Sequence, residues 1–286
     1  MILVTGAAGK TGRVVIQALA ARDTAVRALI HKESQKEAAL SAGATEINIG
    51  DMAEAETYRS AMSGVSAVYF ICPNVNPNEL EFAKFAVEAA QRAEMPHLPH
   101  FVYHSVLHPQ VEAMPHHWLK MRVEEMLFES GLPYTILQPA AYMQNILASW
   151  QTIVEEGVYR IPYSAETRLS IVDLDDVALA AAIVLTEPGH YGAIYELAGP
   201  EALSQIEVAE IIGRRLKRPV RAEQISVESW RQQARANGLG RYQIDALTKM
   251  FVYYDRYGLV GNPTILAHLL NRPPTTFAGF VDRFIN

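Results

Sequence analysis

Apolar and polar positions follow two periods along the first two-thirds of the chain. Short apolar runs of β character occupy residues 2–5, 25–30, 67–71, 100–106, 134–137 and 193–197. Between them lie stretches with helical spacing, at 10–21, 34–42, 53–62, 79–93, 116–130 and 174–186. This alternation predicts a parallel sheet covered by helices on both faces. Right-handed crossovers make it a doubly wound sheet. Helix ends are marked as well. Gly43, Gly64 and Gly131 stand just past helical stretches, where a left-handed residue is expected. Pro115 opens the helix that contains His116 and Lys120. Asp173 or Asp176 is placed to cap the alanine-rich helix that follows.

After Pro200 the pattern changes. Helices are expected at 204–216, 228–237 and 242–257, with a short extended piece at 220–222. The expected architecture is a Rossmann-type α/β core over residues 1–148, completed by 171–200. Residues 149–170 and 201–286 form a smaller, substrate-side α/β lobe. In that lobe Phe251, Tyr253, Tyr254 and Tyr257 either roof an apolar pocket or fill plain core.

Composition narrows the partners. Half of the 286 residues are hydrophobic, a fifth are charged, and the formal net charge is −6. A nucleic-acid or membrane-surface partner requires a basic face, so neither is expected. The longest apolar run, residues 177–185, is well short of the roughly 20 residues of a membrane span. Cys72 is the single cysteine. It can form neither an internal disulfide nor a thiolate metal cage, and it fits a reducing compartment. The chain enters a strand at Ile2 without a basic or apolar leader, so a cytoplasmic location is expected.

The most informative segment is Thr5-Gly6-Ala7-Ala8-Gly9-Lys10-Thr11-Gly12. A strand runs directly into glycine, and an amphipathic helix follows. Gly6 permits the tight turn, Gly9 lets backbone approach a pyrophosphate, and Gly12 lets helix and sheet pack closely. The helix N-terminus presents N–H groups and a positive dipole end to phosphate. In this context the motif predicts a nicotinamide dinucleotide site.

The spacing TGxxGxxG resembles that of the extended and atypical short-chain dehydrogenases. Further segments narrow the likeness: Gly50-Asp51, Gly64-Val65-Ser66-Ala67-Val68, the run Ser130-Gly131-Leu132-Pro133-Tyr134-Thr135-Ile136-Leu137-Gln138-Pro139 ahead of Asn145, and Tyr195-Glu196-Leu197-Ala198-Gly199-Pro200. Together they resemble the NmrA-like family over nearly the whole chain. That family includes NADPH-dependent quinone reductases, triphenylmethane-dye reductases and NADP-sensing regulators. The resemblance implies that Asp51 and Met52 edge the adenine. It implies that Pro139, Tyr142 and Asn145, with Met143 and Gln144, lie on the nicotinamide side.

An NAD-preferring site usually ends its second strand on an acid that accepts from the ribose 2′-hydroxyl. Here the strand ends Leu29-Ile30-His31-Lys32, with Arg27 and Lys36 nearby. NADP is therefore the expected cofactor, with NAD as the other candidate. Cys72, Pro73 and Asn74 follow the fourth strand, which sets them beside the dinucleotide in a doubly wound sheet.

Short-chain dehydrogenases use Ser, Tyr and Lys, with the tyrosine four residues before the lysine. Ser105 matches the serine and Lys120 the lysine, but the tyrosine position holds His116. Residues i and i+4 share a helix face, so His116 and Lys120 point the same way. Three arrangements follow. Lys120 holds the nicotinamide ribose while His116 or water supplies a proton; Lys120 is itself the acid; or the protein senses cofactor without proton transfer. Six of the nine histidines fall at His97, His100, His104, His108, His116 and His117. No carboxylate or cysteine is interleaved at zinc spacing, so no metal is expected. His104 and His108 are candidates to line the pocket. The expected activity is NADPH-dependent reduction of a small conjugated or carbonyl molecule such as a quinone, in a chain that admits a homodimer. The alternative is a non-enzymatic NADP sensor acting through a protein partner.

Overall fold

The computed structural model describes residues 1–93 and 98–285. The strands are β1 (Ile2–Val4), β2 (Val26–Ile30), β3 (Glu46–Ile49), β4 (Ala67–Phe70), β5 (His100–His104), β6 (Tyr134–Pro139), β7 (Ala141–Tyr142), β8 (Val158–Ile161), β9 (Arg168–Val172), β10 (Ala193–Leu197), β11 (Ala202–Ser204) and β12 (Arg221–Gln224). The α-helices are α1 (Lys10–Ala20), α2 (Lys36–Ser41), α3 (Ala55–Ala61), α4 (Glu79–Gln91), α5 (Pro115–Glu129), α6 (Trp150–Glu156), α7 (Leu174–Thr186), α8 (Gln205–Leu216), α9 (Val227–Ala236), α10 (Arg241–Tyr257), α11 (Thr264–Leu270) and α12 (Phe277–Ile285).

Two compact units result. The first contains Met1–Gln110, His117–Gln138 and Val177–Tyr195. Its seven-stranded sheet runs β10-β6-β5-β4-β1-β2-β3, and the pairings from β3 across to β6 are parallel. Strand order reverses at β1 and β4, with Val4 opposite Tyr69. In an open α/β sheet, ligands bind at such a reversal, beyond the carboxyl ends of the strands. One core layer joins Phe70, Phe101 and Tyr103 of the sheet to Tyr58 of α3, Phe82 and Ala86 of α4, and Val123 and Leu127 of α5. Phe70 lies 5.8 Å from Phe101 and 6.0 Å from Tyr103 between ring centroids. Such ring pairs each contribute about 0.5–1.5 kcal/mol beyond the area they bury. Val15, Ile16 and Leu19 form the buried stripe of α1, which packs on β2.

The second unit contains Val111–His116, Pro139–Asp176 and Glu196–Asn286. It holds the three-stranded sheet β11-β9-β7, the pair β12-β8, and an apolar cluster of Ile146, Ile153, Ile211, Ile212, Phe277 and Phe280. Ser204 and Glu207 close a reciprocal capping box on α8. Asp173 caps α7, accepting from the Asp175 N–H at 3.2 Å. Asp176 lies inside the first turn of α7 and ties down the C-terminal segment, taking Arg272 at 2.5 Å and the Thr275 N–H at 2.6 Å.

Gly43, Gly64 and Gly131 all take positive φ, as their helix-end positions predict. The expected helix at 34–42 begins as a short 3-10 turn, and only Lys36–Ser41 is α-helical. The pattern does not single out β8, β9, α6, α11 or α12. These elements are short, and the strands among them carry polar residues at alternate or terminal positions.

Candidate active site

The phosphate turn is built from backbone. Gly6 has φ +56°, and its carbonyl accepts from the Gly9 N–H at 2.9 Å. The Ala7 N–H reaches the Leu29 carbonyl on β2 at 3.3 Å. A Cβ on Gly12 would stand 2.4 Å from the Gly6 oxygen and 2.8 Å from the Ala7 Cα. Glycine at position 12 therefore lets the helix close against the turn itself. Gly9, the N-cap of α1, makes no side-chain cap bond, and the first turn has no acidic residue. The N–H groups of Lys10, Thr11 and Gly12 have no intrahelical acceptor. Gly9 and Lys10 are exposed, Ala8 is half-buried and Thr11 is buried. An open cradle of N–H donors with no competing anion fits a dinucleotide pyrophosphate.

Thr5 works differently from the turn. Its hydroxyl donates to the Ile71 carbonyl at 2.9 Å and accepts from the Ile71 N–H at 2.8 Å. The side chain is wholly buried and clamps the ends of β1 and β4 at the reversal point.

At the end of β2, His31 and Lys32 are exposed, and Gln35 Oε1 accepts from both of their N–H groups, at 2.9 and 3.1 Å. Arg27 is not a companion cation. It sits at the opposite end of β2, where it pairs with Glu46 and donates to the carbonyls of Ala61 and Ser63. Lys36 is paired with Glu33 at 3.3 Å. Asp51 is exposed and accepts the Ala53 N–H at 2.9 Å, while Met52 packs partly against the core.

Beyond β4, Pro73 and Asn74 are exposed and Cys72 is buried. Burial pushes the Cys72 thiol up, with Glu79 adding to the rise and Lys120 opposing it. That removes thiolate character at neutral pH. Val75, buried and β-branched, takes φ +49°, an uncommon conformation for such a residue.

Two buried polar clusters stand at the end of β5. Lys120, on α5, is buried and donates to Glu79 Oε1 at 2.6 Å and to the His104 carbonyl at 3.0 Å. The Tyr103 hydroxyl donates to the same Glu79 oxygen at 2.9 Å, and the Lys120 ammonium lies 5.3 Å from the centre of the Tyr103 ring. In the second cluster, the Ser105 hydroxyl donates to Glu124, one helical turn beyond Lys120. Gln138 Nε2 lies 3.0 Å from each Glu124 oxygen. Burial raises the Glu124 carboxyl above the usual range, while Ser105, Gln138 and Lys120 pull it back. Reading the sequence for site chemistry misses both Glu79 and Glu124. For Glu124 a signal was available: it follows Lys120 by four residues, so an inward lysine implies an inward glutamate.

The histidines separate. His104 does not line an open pocket with its ring. The ring is buried and lies against the Tyr69 hydroxyl, Nδ1 to oxygen 2.5 Å, and only its carbonyl meets Lys120. Burial, with Lys120 adding to the effect, holds His104 down to about 3. His100 pairs with Thr135 at 2.8 Å and is held down to about 4 by burial and then His190. His117 is bonded to the His108 carbonyl at 3.2 Å and is also held near 4, chiefly by burial. His108 is half-buried at φ +54°, His116 is buried on the first turn of α5, and His97 lies outside the described residues. Among the described residues, no group of three or more His, Cys, Asp or Glu side chains is placed to hold a metal ion.

In the second unit, Pro139 is buried, Tyr142 half-buried and Asn145 exposed. Met143 joins the apolar cluster of this unit. Gln144 donates to Asp173 at 2.7 Å and accepts from the Leu174 N–H at 3.1 Å, so its side chain is committed to the start of α7. Of the four candidate aromatics on α10, Tyr254 and Phe251 pack on Tyr163, and the Tyr253 ring lies 4.8 Å from that of the exposed Tyr257.

A glycine-rich turn at the reversal point of a parallel sheet, with a buried lysine at the end of β5, defines a Rossmann-type nucleotide-dependent oxidoreductase scaffold. Residues 1–281 match the NmrA-like family, and the chain belongs to it. It is 31% identical to the NAD(P)H azoreductase of Xenophilus azovorans over 286 residues, covering 98% of this chain and 96% of that protein. Quinone oxidoreductase 2 of Escherichia coli strain K12 is 28% identical, covering 100% and 99%. The structure of the Escherichia coli NADPH-dependent quinone oxidoreductase QOR2 complexed with NADPH superposes with a TM-score of 0.87 at 27% identity, covering 100% of both chains. No helix among the described residues is long and apolar enough to cross a membrane.

Proposed function

We propose that this chain is an NADPH-dependent oxidoreductase that reduces small conjugated or carbonyl acceptors of the quinone kind. The observation that carries this reading is the open phosphate turn at the end of β1, together with the ammonium of Lys120 on α5, which is held at the end of β5 of the same sheet by the His104 carbonyl. Full-length likeness to an azoreductase and a quinone oxidoreductase supports the reductase over the sensor alternative.

The roles divide by location. The unpaired amides of Lys10, Thr11 and Gly12 hold the pyrophosphate, with Gly6, Ala8 and Gly9 letting it approach the backbone; Thr5 keeps the turn in place. His31 and Lys32 receive the 2′-phosphate, and Asp51 and Met52 edge the adenine. Backbone at Cys72, Pro73 and Asn74 follows the ribose, and Lys120 bonds the nicotinamide ribose hydroxyls. Pro139, Tyr142 and Asn145 are further cofactor contacts on the family resemblance alone. NADPH, when bound, supplies hydride, a step that needs mainly proximity and orientation. His116 or water then supplies the proton, with Ser105 beside the reacting oxygen. The same proposal puts the enzyme in the cytoplasm with a small molecule as its partner, and it admits a homodimer.

The test is oxidation of NADPH, followed at 340 nm, against a panel of quinones, azo dyes and aldehydes. Turnover with at least one class is expected. Lys120→Ala should weaken both cofactor binding and turnover. His116→Ala should lower turnover alone, by about 100-fold if it is the general acid. Tight NADPH binding with no turnover across the whole panel would hand the case to the sensor.

A further inference from the structure

Lys120 is a lysine in an unusual setting. Its ammonium is buried, and the charged and titratable groups around it come from four elements. Glu79 begins α4, Tyr103 and His104 end β5, Cys72 follows β4, and His117 and Glu124 share α5. Of the two buried carboxylates, Glu79 is in direct contact with the ammonium at 2.6 Å. Glu124 directs its own hydrogen bonds to Ser105 and Gln138. Glu79 is itself fixed, since the Tyr103 hydroxyl donates to the same oxygen that Lys120 uses.

We infer that Glu79 is the positioning residue of this site: it holds Lys120 as a charged, stationary donor at the end of β5 and so commits it to ligand binding rather than proton transfer. The inference rests on the reductase reading. Two of the three ammonium hydrogens are taken by Glu79 and the His104 carbonyl, and tetrahedral geometry then sets the direction of the third. Loss of the Lys120 proton would leave Glu79 as a buried carboxylate without its counter-charge, a costly state. The pair is therefore held together by contact and charge. The proton that follows hydride transfer then has to come from His116 or water. Conversely, removing the Glu79 charge leaves a buried ammonium alone, and burial drives it toward the neutral amine as pH rises.

The experiment uses the full chain with NADPH, titrated by fluorescence from pH 6 to pH 9, with turnover measured alongside and circular dichroism melts to check folding. The variants are Glu79→Gln, Glu79→Asp, Lys120→Met and the double variant Glu79→Gln/Lys120→Met. Affinity is read as the ratio to wild type at each pH, which cancels the titration of the 2′-phosphate and its partners, and this ratio is the profile compared below. Glu79→Gln should bind within about threefold of wild type at pH 6 and about tenfold more weakly at pH 9. In the Lys120→Met background, Glu79→Gln should change nothing further. Glu79→Asp, which keeps the charge on a shorter arm, should bind less tightly but restore the flat profile. A purely structural Glu79 would lower affinity equally at every pH, or add to the Lys120→Met loss, and either result overturns the inference. If Glu79→Gln does not fold, Glu79→Asp decides, and a pH-dependent loss there overturns it. A wild type that binds no NADPH, with Lys120→Met indistinguishable from it, removes the reductase reading and this inference together. Wild-type turnover with an indifferent Glu79→Gln removes the inference alone.

Discussion

The hydroxyl of Ser105 is bonded to the carboxylate of Glu124, and Gln138 closes the other side of that carboxylate. Serine at the end of β5 is thus anchored from below by an acid whose direct partners are both neutral. Burial holds the Glu124 proton more tightly in the folded chain than in the unfolded one. A carboxyl raised in this way contributes stability below its unfolded value, near 4.3, and loses it as pH rises through the folded value. Glu124→Gln should therefore be more stable than wild type at pH 8, on the order of 1 kcal/mol, and should lose that advantage toward pH 4.5. Urea unfolding at the two pH values measures it. An equal deficit at both would mean that shape, not charge, governs the site.

The glycines of the phosphate turn should fail in different ways. A Cβ on Gly9 meets only the Gly6 oxygen, at 3.1 Å, whereas one on Gly12 meets backbone at 2.4 and 2.8 Å. Gly9→Val should fold and lose NADPH affinity by about 100-fold, or about 2.7 kcal/mol, because its side chain enters phosphate space. Gly12→Val should be destabilised by about 3 kcal/mol or more through overpacking. Thermal melts and NADPH titrations separate the two. Unchanged affinity in a folded Gly9→Val protein would move the cofactor elsewhere.

The proposed function places cofactor choice at His31, which is exposed at the end of β2 with its backbone held by Gln35. His31→Asp repels a 2′-phosphate and accepts from a free 2′-hydroxyl. The ratio of kcat/KM for NADPH over NADH should fall by about 10-fold or more in the variant, a change of at least about 1.4 kcal/mol. A wild type with no preference would show that the strand end does not discriminate.

Three buried imidazoles should weaken the fold in acid. His100, His104 and His117 are held near 4, 3 and 4 by burial. The unfolded chain takes up protons below about 6.5, while the folded chain does not until several tenfold steps of acidity later. Stability should therefore fall as pH drops from about 6.5 toward 4, at about 1.4 kcal/mol per pH unit for each ring. His104→Gln should flatten this slope by one proton while costing stability at pH 7. A denaturation midpoint unchanged between pH 7 and pH 5 would show that these rings titrate normally.

The residues legible from sequence were those defined by local spacing. The turn from Thr5 to Gly12 declares itself by a strand, three glycines and a helix. Ser105 and Lys120 were picked out by the resemblance to short-chain dehydrogenases, at a strand end and a helical interval that suit it. Glu79 was not legible as a site residue, and Glu124 only through its place four residues after Lys120. An acid in the first turn of a helix reads as dipole compensation, and one on α5 reads as a solvated face. Their partners lie 41 and 19 positions away in the chain and meet them only when α4, α5 and the end of β5 come together. Arg27 failed for a geometric reason. Its nearness to His31 in sequence spans most of a strand, which carries it to the far end of the sheet. His104 was read from its strand position alone, and its ring is packed against Tyr69 within the core.

The Thr5 clamp has a consequence for the order in which the protein is made. The glycine motif is complete once residue 12 has been synthesised, yet the clamp that holds its mouth needs Ile71. A nascent chain or fragment that stops before β4 carries every glycine of the motif without the partner strand that shapes it. Closing that contact means closing a loop across 66 positions. On the proposed function, cofactor capture is thereby reserved for chains that have already paired β1 with β4. Added dinucleotide can act as a ligand chaperone only after that pairing, by selecting the finished turn over its precursors.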